Sequence, residues 1–195
     1  MAPTWAQAAL SSILLLSVQV WGLQCPASCS CLQIESKVSA DCGGSAGEPS
    51  NITAIPKGFP ANTSSIYLVH HHVGALSESS FQGLDRLSVL YLFANKIDSI
   101  ALRTFSNLKN LRVLDLSYNQ LSTLEADHLQ PLEASLQELY LDGNPWHCTC
   151  NLLPFQLWLK KMDTKVADGM YISCASPDAL NGKPLLELTR ADMGC

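Results

Sequence analysis

Apolar and polar positions follow a fixed pattern that recurs through the middle of the chain. Leucine or another apolar residue occupies the first, fourth, sixth and eleventh positions of each copy, and asparagine occupies the ninth. The three best copies begin at Leu87, Leu111 and Leu136, so the spacing is 24 and then 25 residues. A weaker copy, 24 residues before Leu87, has His71 in place of the asparagine.

This pattern predicts a short strand followed by a turn in each copy. Side chains alternate between the two faces of a strand, so Leu90 and Leu92 point into a core and their neighbours point outward. Each coil buries its leucines only when the next coil stacks on it, so at least three copies are needed. Asn95, Asn119 and Asn144 lie where the chain leaves the strand. We interpret them as a structural ladder whose buried amides satisfy backbone groups. The pattern is similar to the leucine-rich repeat, with about four copies starting near residues 63, 87, 111 and 136.

The first 22 residues have the character of a secretory signal peptide. They contain no charged side chain, and the apolar run 8–18 has the length of a signal core but is too short to span a bilayer. Val20 and Gly22 suit the positions before a cleavage site; a buried N-terminal helix is the alternative. No later apolar run approaches the length of a membrane span, so we expect no membrane span, no tail of the lipid-anchor type, and a secreted, extracellular product.

The eight cysteines fall into two clusters, with none between residues 43 and 147. Secretion places them in an oxidising compartment, and their even number favours disulfides over a zinc site. Spacing alone leaves three pairings open within each set of four. A stack of repeats exposes an apolar cross-section at both ends and needs a cap there, which predicts that the cysteines belong to end-caps.

The clusters resemble the caps of extracellular leucine-rich repeat proteins such as Slit, Toll-type receptors, platelet glycoprotein Ib-IX-V subunits and variable lymphocyte receptors. The resemblance implies an α/β solenoid: a short, curved horseshoe with a parallel concave β-sheet and two disulfide-bonded caps. We expect an N-terminal cap at 23–62, repeats at 63–143 and a C-terminal cap at 144–195. The implied disulfides are Cys25–Cys31, Cys29–Cys42, Cys148–Cys174 and Cys150–Cys195.

Residues 151–161 predict a helix in the C-terminal cap, with Asn151 as its N-cap. Four apolar side chains share one face of this helix and should seal the last coil: Leu152, Phe155, Trp158 and Leu159. Binding of this helix to a membrane surface is the alternative, although two lysines at its end are few for that role.

Outward-pointing strand residues predict a binding surface on the concave face, apolar towards the N-terminal half and acidic towards the C-terminal half. The residues predicted to contact a partner are Tyr67, Val69, Tyr91, Phe93, Asp115, Tyr118, Glu138, Tyr140 and Asp142. The alternative is that aromatic and β-branched residues simply suit strands. Asn51 and Asn62 begin N-glycosylation sequons.

Composition removes several classes of function. The chain is 47% hydrophobic and 15% charged, too apolar for a disordered protein, and its net charge of −5 argues against nucleic acid binding. Phosphate-loop, serine-hydrolase and zinc-protease motifs are absent, so we expect no enzyme, no cofactor and no metal. His70, His71 and His72 are consecutive and so point in different directions, which disfavours a metal site; a pH-sensitive edge stays open.

Together these features predict a secreted, non-enzymatic module that recognises a protein ligand or receptor through its concave face. Two alternatives remain. One is a structural subunit or matrix protein that packs against a larger cell-surface receptor, and the other is an immune recognition molecule. The oligomeric state is left open.

Overall fold

A computed structural model describes residues 24–43, 51–162, 165–167 and 169–195. The predicted signal peptide at 1–22 lies outside the described residues. The strands are β1 (Ser30–Ile34), β2 (Lys37–Asp41), β3 (Thr63–Tyr67), β4 (Ala75–Leu76), β5 (Val89–Tyr91), β6 (Ser99–Ile100), β7 (Val113–Asp115), β8 (Glu138–Tyr140), β9 (Trp146–His147) and β10 (Cys174–Ser176). The α-helices are α1 (Ala126–Leu129) and α2 (Leu153–Lys161). Turns of 3-10 helix span Gln130–Leu132, Cys150–Leu152, Gly169–Tyr171, Asp178–Leu180 and Leu185–Glu187.

One sheet of six strands runs along the molecule in the order β1-β2-β3-β5-β7-β8. β1 and β2 form an antiparallel hairpin, and every following pair is parallel. Residues one repeat apart lie directly opposite each other, as Leu90, Leu114 and Leu139 do. Two short parallel pairs, β4 with β6 and β9 with β10, lie outside this sheet.

The repeat leucines form one continuous core. Leu90, Leu92, Leu114 and Leu116 are fully buried, as the alternation within each strand predicts. The same cluster extends from Ala40 in the hairpin to the C-terminal cap, so no separate core exists within the described cap residues. Stacked Phe81 and Phe105 continue it between the second halves of two repeats, at 6.0 Å between ring centroids.

A row of buried asparagine amides joins neighbouring coils. Asn119 donates from Nδ2 to the carbonyls of Leu116 in its own coil and Leu92 in the preceding coil, both at 3.0 Å. Its Oδ1 accepts the Ile97 N–H at 3.0 Å. Asn95 and Asn144 repeat this arrangement one coil earlier and one coil later.

His71 occupies the asparagine position in the first coil. Its imidazole is buried, and Nε2 lies 2.7 Å from the carbonyl oxygen of Cys42 in the N-terminal cap. Asn95 reaches the carbonyl of Leu68 in the preceding coil in the same way. The histidine therefore extends the row of side-chain bonds from the repeats into the cap.

The residue before each of these side chains has a left-handed backbone. The φ angles are 60° at His70, 53° at Ala94, 53° at Tyr118 and 65° at Gly143. This conformation costs a residue other than glycine about 1–2 kcal/mol. At the first three positions the backbone N–H donates to a carbonyl of the next coil, and these bonds fix the turn.

Four disulfides close the two ends: Cys25–Cys31, Cys29–Cys42, Cys148–Cys174 and Cys150–Cys195. In the C-terminal cap, Leu152 of the 3-10 turn and Phe155, Trp158 and Leu159 of helix α2 are buried in the same core as the repeats. A salt bridge from Lys161 to Glu133, between the helix and the repeats, adds to this contact.

The prediction of Asn151 as the helix N-cap is wrong. Asn151 lies inside the 3-10 turn Cys150–Leu152, helix α2 begins at Leu153, and its N-cap position makes no side-chain hydrogen bond. Gln156 is the polar group of this helix that sequence reasoning missed. It is buried, and its Nε2 donates to the carbonyls of Leu185 and Leu188 at 2.7 and 2.8 Å, holding the last segment of the chain against the helix.

Within the described ranges, no helix is both long and apolar enough to cross a membrane.

Candidate binding surface

The strands of the large sheet present two rows of side chains away from the core, which we call the outer face. The backbone pairing aligns these rows residue by residue. One row is Asp41, Tyr67, Tyr91, Asp115 and Tyr140, and the other is Ser39, Ser65, Val89, Val113 and Glu138. The sheet therefore brings the strand members of the predicted site onto one surface.

Aromatic rings cluster on the N-terminal half of the outer face. Tyr67 and Tyr91 stack with centroids 5.3 Å apart and planes at 12°. Phe93 contacts Tyr118 at 5.2 Å and makes an edge-to-face contact with His70 at 5.1 Å, both measured between ring centroids. Each pair joins adjacent coils. Such contacts hold the rings in place without burying them, which leaves rigid aromatic surface available to a partner.

Tyr118 rests over a position that must be glycine for the ring to stay there. A Cβ at Gly143 would lie 2.9 Å from two atoms of the Tyr118 ring, closer than packed carbon atoms approach. Tyr118 is nonetheless 55% exposed. The glycine thus sets the orientation of an exposed aromatic side chain.

The acidic half of the outer face is less exposed than its sequence suggests. Asp115 is buried, and its Oδ1 accepts bonds from the Ser117 backbone N–H at 2.9 Å and the Ser117 hydroxyl at 2.5 Å. Burial raises the pKa of the Asp115 carboxyl, against the opposing effect of the Ser117 bonds. Glu138 is exposed and Asp142 is half-buried, so these two present the negative charge of this half.

Tyr140 and Glu138 form a hydrogen-bonded pair beside Asp115. The Tyr140 hydroxyl donates to Glu138 Oε2 at 3.0 Å, and this bond, followed by burial, raises the pKa of Tyr140 to about 12. Burial, followed by the charge of Glu138, also raises the pKa of Tyr91. Both phenols therefore stay neutral donors across the physiological range.

The structure adds two apolar residues that sequence reasoning missed. Leu32 and Ile34 on β1 lie opposite Ser39 and Lys37 of β2, so they share the outer face, and they are 61% and 62% exposed. The sequence feature that could have identified them is the apolar-polar-apolar alternation just after Cys31. The outer face thus continues onto the N-terminal cap.

The three histidines diverge. His70 lies at the edge of the outer face against Phe93, His71 is buried towards Cys42, and His72 is exposed. Among the residues that the structure describes, no group of histidine, cysteine and acidic side chains could hold a metal ion.

The two sequons differ in their surroundings. Asn51 is exposed. Asn62 is half-buried, and its Nδ2 donates to the Ser36 carbonyl at 3.1 Å. A glycan at Asn62 would therefore start close to the cap hairpin.

Two family models match the chain. The leucine rich repeat model matches residues 85–145, and the leucine rich repeat C-terminal domain model matches residues 172–195. Both describe repeat or cap domains, and neither describes an enzyme. Leucine-rich repeats are used as protein-binding modules.

Several curated proteins are similar to part of this chain. Nephrocan of Mus musculus is 43% identical over 65 residues, which is 33% of this chain and 12% of nephrocan. Trophoblast glycoprotein of Homo sapiens is 40% identical over 58 residues, covering 29% of this chain and 13% of that protein. SLIT and NTRK-like protein 4 of Mus musculus is 39% identical over 56 residues, covering 29% and 7%.

This chain spans less than a quarter of the length of each of these relatives. The matches and the coils described above agree on the same repeated unit, and the C-terminal match includes two of the paired cysteines, Cys174 and Cys195. The two family models and these relatives together support an extracellular leucine-rich repeat family whose repeats end in a C-terminal cap.

Proposed function

We propose that this chain is a secreted, non-enzymatic module that recognises an extracellular protein ligand or receptor through its outer face. In this proposal the coils form a curved α/β solenoid, a short horseshoe, and the outer face is its concave side. Residues 1–22 are a signal peptide, 23–62 the N-terminal cap, 63–143 the repeats and 144–195 the C-terminal cap. The disulfides within the described caps and the similarity to extracellular relatives support secretion.

The observation that carries this proposal is the aromatic cluster on the outer face. Tyr67, Tyr91, Phe93 and Tyr118 contact one another in pairs across adjacent coils, yet none is fully buried. Aromatic rings contribute much of the energy at protein interfaces, because they are large and lose little conformational entropy on binding. These rings lie outside the buried core and are held in place by contacts with one another, so they are suited to binding a protein partner.

The rest of the face favours a particular kind of partner. Val89 and Val113 extend the apolar centre, and Glu138 and Asp142 place negative charge at the far end of the sheet. Such a surface complements a partner segment with apolar or aromatic side chains at its centre and a basic residue at one side. Asp115 contributes less charge than its neighbours because it is buried against Ser117.

The test compares a triple variant with a matched control. In Tyr91→Ala/Phe93→Ala/Tyr140→Ala, three half-buried outer-face rings are removed. In the control, Tyr171→Ala, an exposed ring is removed from the C-terminal cap. Each protein is immobilised and exposed to conditioned extracellular medium, and bound proteins are identified by mass spectrometry. Binding of any identified partner is then measured with the purified pair.

We expect the triple variant to lose at least a hundredfold in affinity, because each hot-spot ring contributes about 1–2 kcal/mol or more. The control should bind as the unmodified chain does. Thermal unfolding of all three proteins checks that the variants fold. A folded triple variant that binds as tightly as the unmodified chain would place the binding site elsewhere and defeat this proposal.

A further inference from the structure

A polar groove lies at the entry ends of the strands, beside the outer face. Its volume is about 520 Å³. The residues that line it are Ser36, Lys37, Asn62, Ser64, Arg86, Ser88, Asn110 and Arg112. They come from the cap hairpin and from three successive coils, so the groove runs across the strands. With neighbouring strands about 4.8 Å apart, the distance from Lys37 on β2 to Arg112 beside β7 is roughly 14 Å.

The groove concentrates positive charge in an acidic protein. Lys37, Arg86 and Arg112 supply three of the 12 basic residues, against 17 acidic residues in the whole chain. None of the described residues that line the groove is acidic. Within the described part of the chain, the one ion pair joins Lys161 to Glu133, so none of the three cations is paired there. Clustered cations of this kind attract an anionic ligand.

The uncharged walls suit a carbohydrate. Asn62 and Asn110 are fixed by bonds from their Nδ2 atoms to the carbonyls of Ser36 and Asp85, at 3.1 and 2.8 Å. Their Oδ1 atoms remain available as acceptors for sugar hydroxyls, while the serine hydroxyls can donate or accept. The eight described lining residues include no aromatic ring on which a base could stack and no apolar side chain that could enter a bilayer.

We propose that this groove binds a sulfated polysaccharide chain. Sulfate groups would pair with Arg86, Arg112 and Lys37, and the asparagines and serines would bind the sugar between them. The site is separate from the aromatic cluster, so a polysaccharide and a protein ligand could bind at the same time. One lining residue, Asn62, is itself in a sequon, and a glycan there would compete for the groove.

The experiment measures binding of a heparin hexasaccharide by isothermal titration calorimetry at several NaCl concentrations. The protein is used with its glycans and after trimming them to single sugars by endoglycosidase. The groove variant is Arg86→Gln/Arg112→Gln. The matched control, Arg103→Gln/Arg190→Gln, removes two exposed arginines outside the groove and changes the net charge equally. Uncharged dextran and inorganic sulfate are measured as comparison ligands.

We expect the groove variant to bind the hexasaccharide about tenfold more weakly, and the control to change by less than about twofold, since exposed ion pairs contribute modestly each. Affinity should fall as salt rises, dextran should not bind, and trimming should strengthen binding. The variant Tyr91→Ala/Phe93→Ala/Tyr140→Ala should bind the hexasaccharide normally, so this proposal can fail or succeed apart from the proposed protein-binding function.

Three results would overturn the assignment. Equal losses in the groove variant and the control would mean that overall charge, not the groove, attracts the anion. Failure of both the glycosylated and the trimmed protein to bind would exclude a sulfated ligand. Stronger binding to phosphatidylserine vesicles than to the hexasaccharide, lost in the groove variant, would identify the ligand as a lipid headgroup.

Discussion

Replacing Asn119 by alanine removes the central member of the buried amide row. The change takes away an acceptor for the Ile97 N–H and donors to the carbonyls of Leu92 and Leu116. The loss affects the two carbonyls and the Ile97 N–H differently. Leu92 keeps the amide of Asn95, and Leu116 keeps the amide of Asn144, so neither carbonyl is stranded. The Ile97 N–H has no second acceptor and becomes a buried unpaired donor.

The expected loss of stability follows from one N–H that becomes unpaired and two carbonyls that keep another donor. A stranded buried donor costs about 1–3 kcal/mol, and a lost hydrogen bond whose acceptor keeps another partner costs at most about 1 kcal/mol. Asn119→Ala should therefore lower the free energy of unfolding by about 2–4 kcal/mol. The matched control is Asn107→Ala, at an exposed position where no side-chain hydrogen bond is made within the described residues, and it should change stability by less than about 0.5 kcal/mol.

The assay is urea unfolding with the disulfides intact, followed by tryptophan fluorescence. With an m-value of about 2 kcal/mol per M, the midpoint of Asn119→Ala should fall by about 1–2 M. A shift no larger than that of Asn107→Ala would refute the view that the amide row stabilises the stack.

A double variant gives a sharper test of the shared carbonyl. In Asn95→Ala/Asn119→Ala, Leu92 loses both amide donors and becomes unpaired. The double variant should therefore lose about 1 kcal/mol more than the sum of the two single variants. Simple additivity would contradict the sharing of that carbonyl between coils.

Three further predictions concern the outer face and the cap helix. Burial raises the pKa of Asp115 in the folded protein, so the folded state binds a proton more readily than the unfolded state does. The free energy of unfolding should therefore rise as pH falls from that raised pKa towards the ordinary value of 3.8. Asp115→Asn keeps an acceptor for Ser117 and should be more stable than the unmodified chain at pH 7, with the difference closing at acidic pH; unfolding midpoints at several pH values measure this. Tyr140 should titrate near pH 12 by ultraviolet absorbance, and Glu138→Gln should return its pKa towards 10, because the carboxylate that accepts its hydrogen bond is gone; an unchanged titration would disprove the pairing. Gln156→Leu removes one donor from each of the carbonyls of Leu185 and Leu188, which keep longer bonds from the Leu188 N–H and from Lys160 Nζ, both at 3.3 Å. It should therefore destabilise the C-terminal cap by about 1–2 kcal/mol, seen as faster amide exchange in residues 185–195 while the repeats stay protected.

The repeat spacing was enough to predict the strands and their buried side chains. Leu90, Leu114 and Leu139 recur at the distance that places them opposite one another, and stacking then determines which face is buried. The position of His71 in the asparagine row followed from the same spacing. These features depend on periodicity, which sequence displays directly.

Other features depend on contacts that periodicity does not contain. Leu32 and Ile34 lie in the cap, where no repeat fixes the register, and their face is set by pairing of β1 with β2. Asp115 occupies an outward position of its strand, but its carboxylate bonds to Ser117 and is covered. The start of helix α2 depends on whether residues Cys150–Leu152 form a 3-10 turn or the first turn of the α-helix. The same pattern of apolar residues is compatible with both, so the sequence does not distinguish them.

The left-handed position that precedes each buried amide or imidazole has a consequence for altering specificity. Histidine, alanine, tyrosine and glycine occupy it in successive coils with nearly the same backbone, at His70, Ala94, Tyr118 and Gly143. At the first three positions the backbone N–H is bonded to a carbonyl of the next coil, while the side chain is left to vary. The first three of these positions therefore form a row of interchangeable sites at the rim of the outer face. A library that varies these three, and keeps glycine at 143 beneath the Tyr118 ring, should yield new ligand preferences in folded proteins.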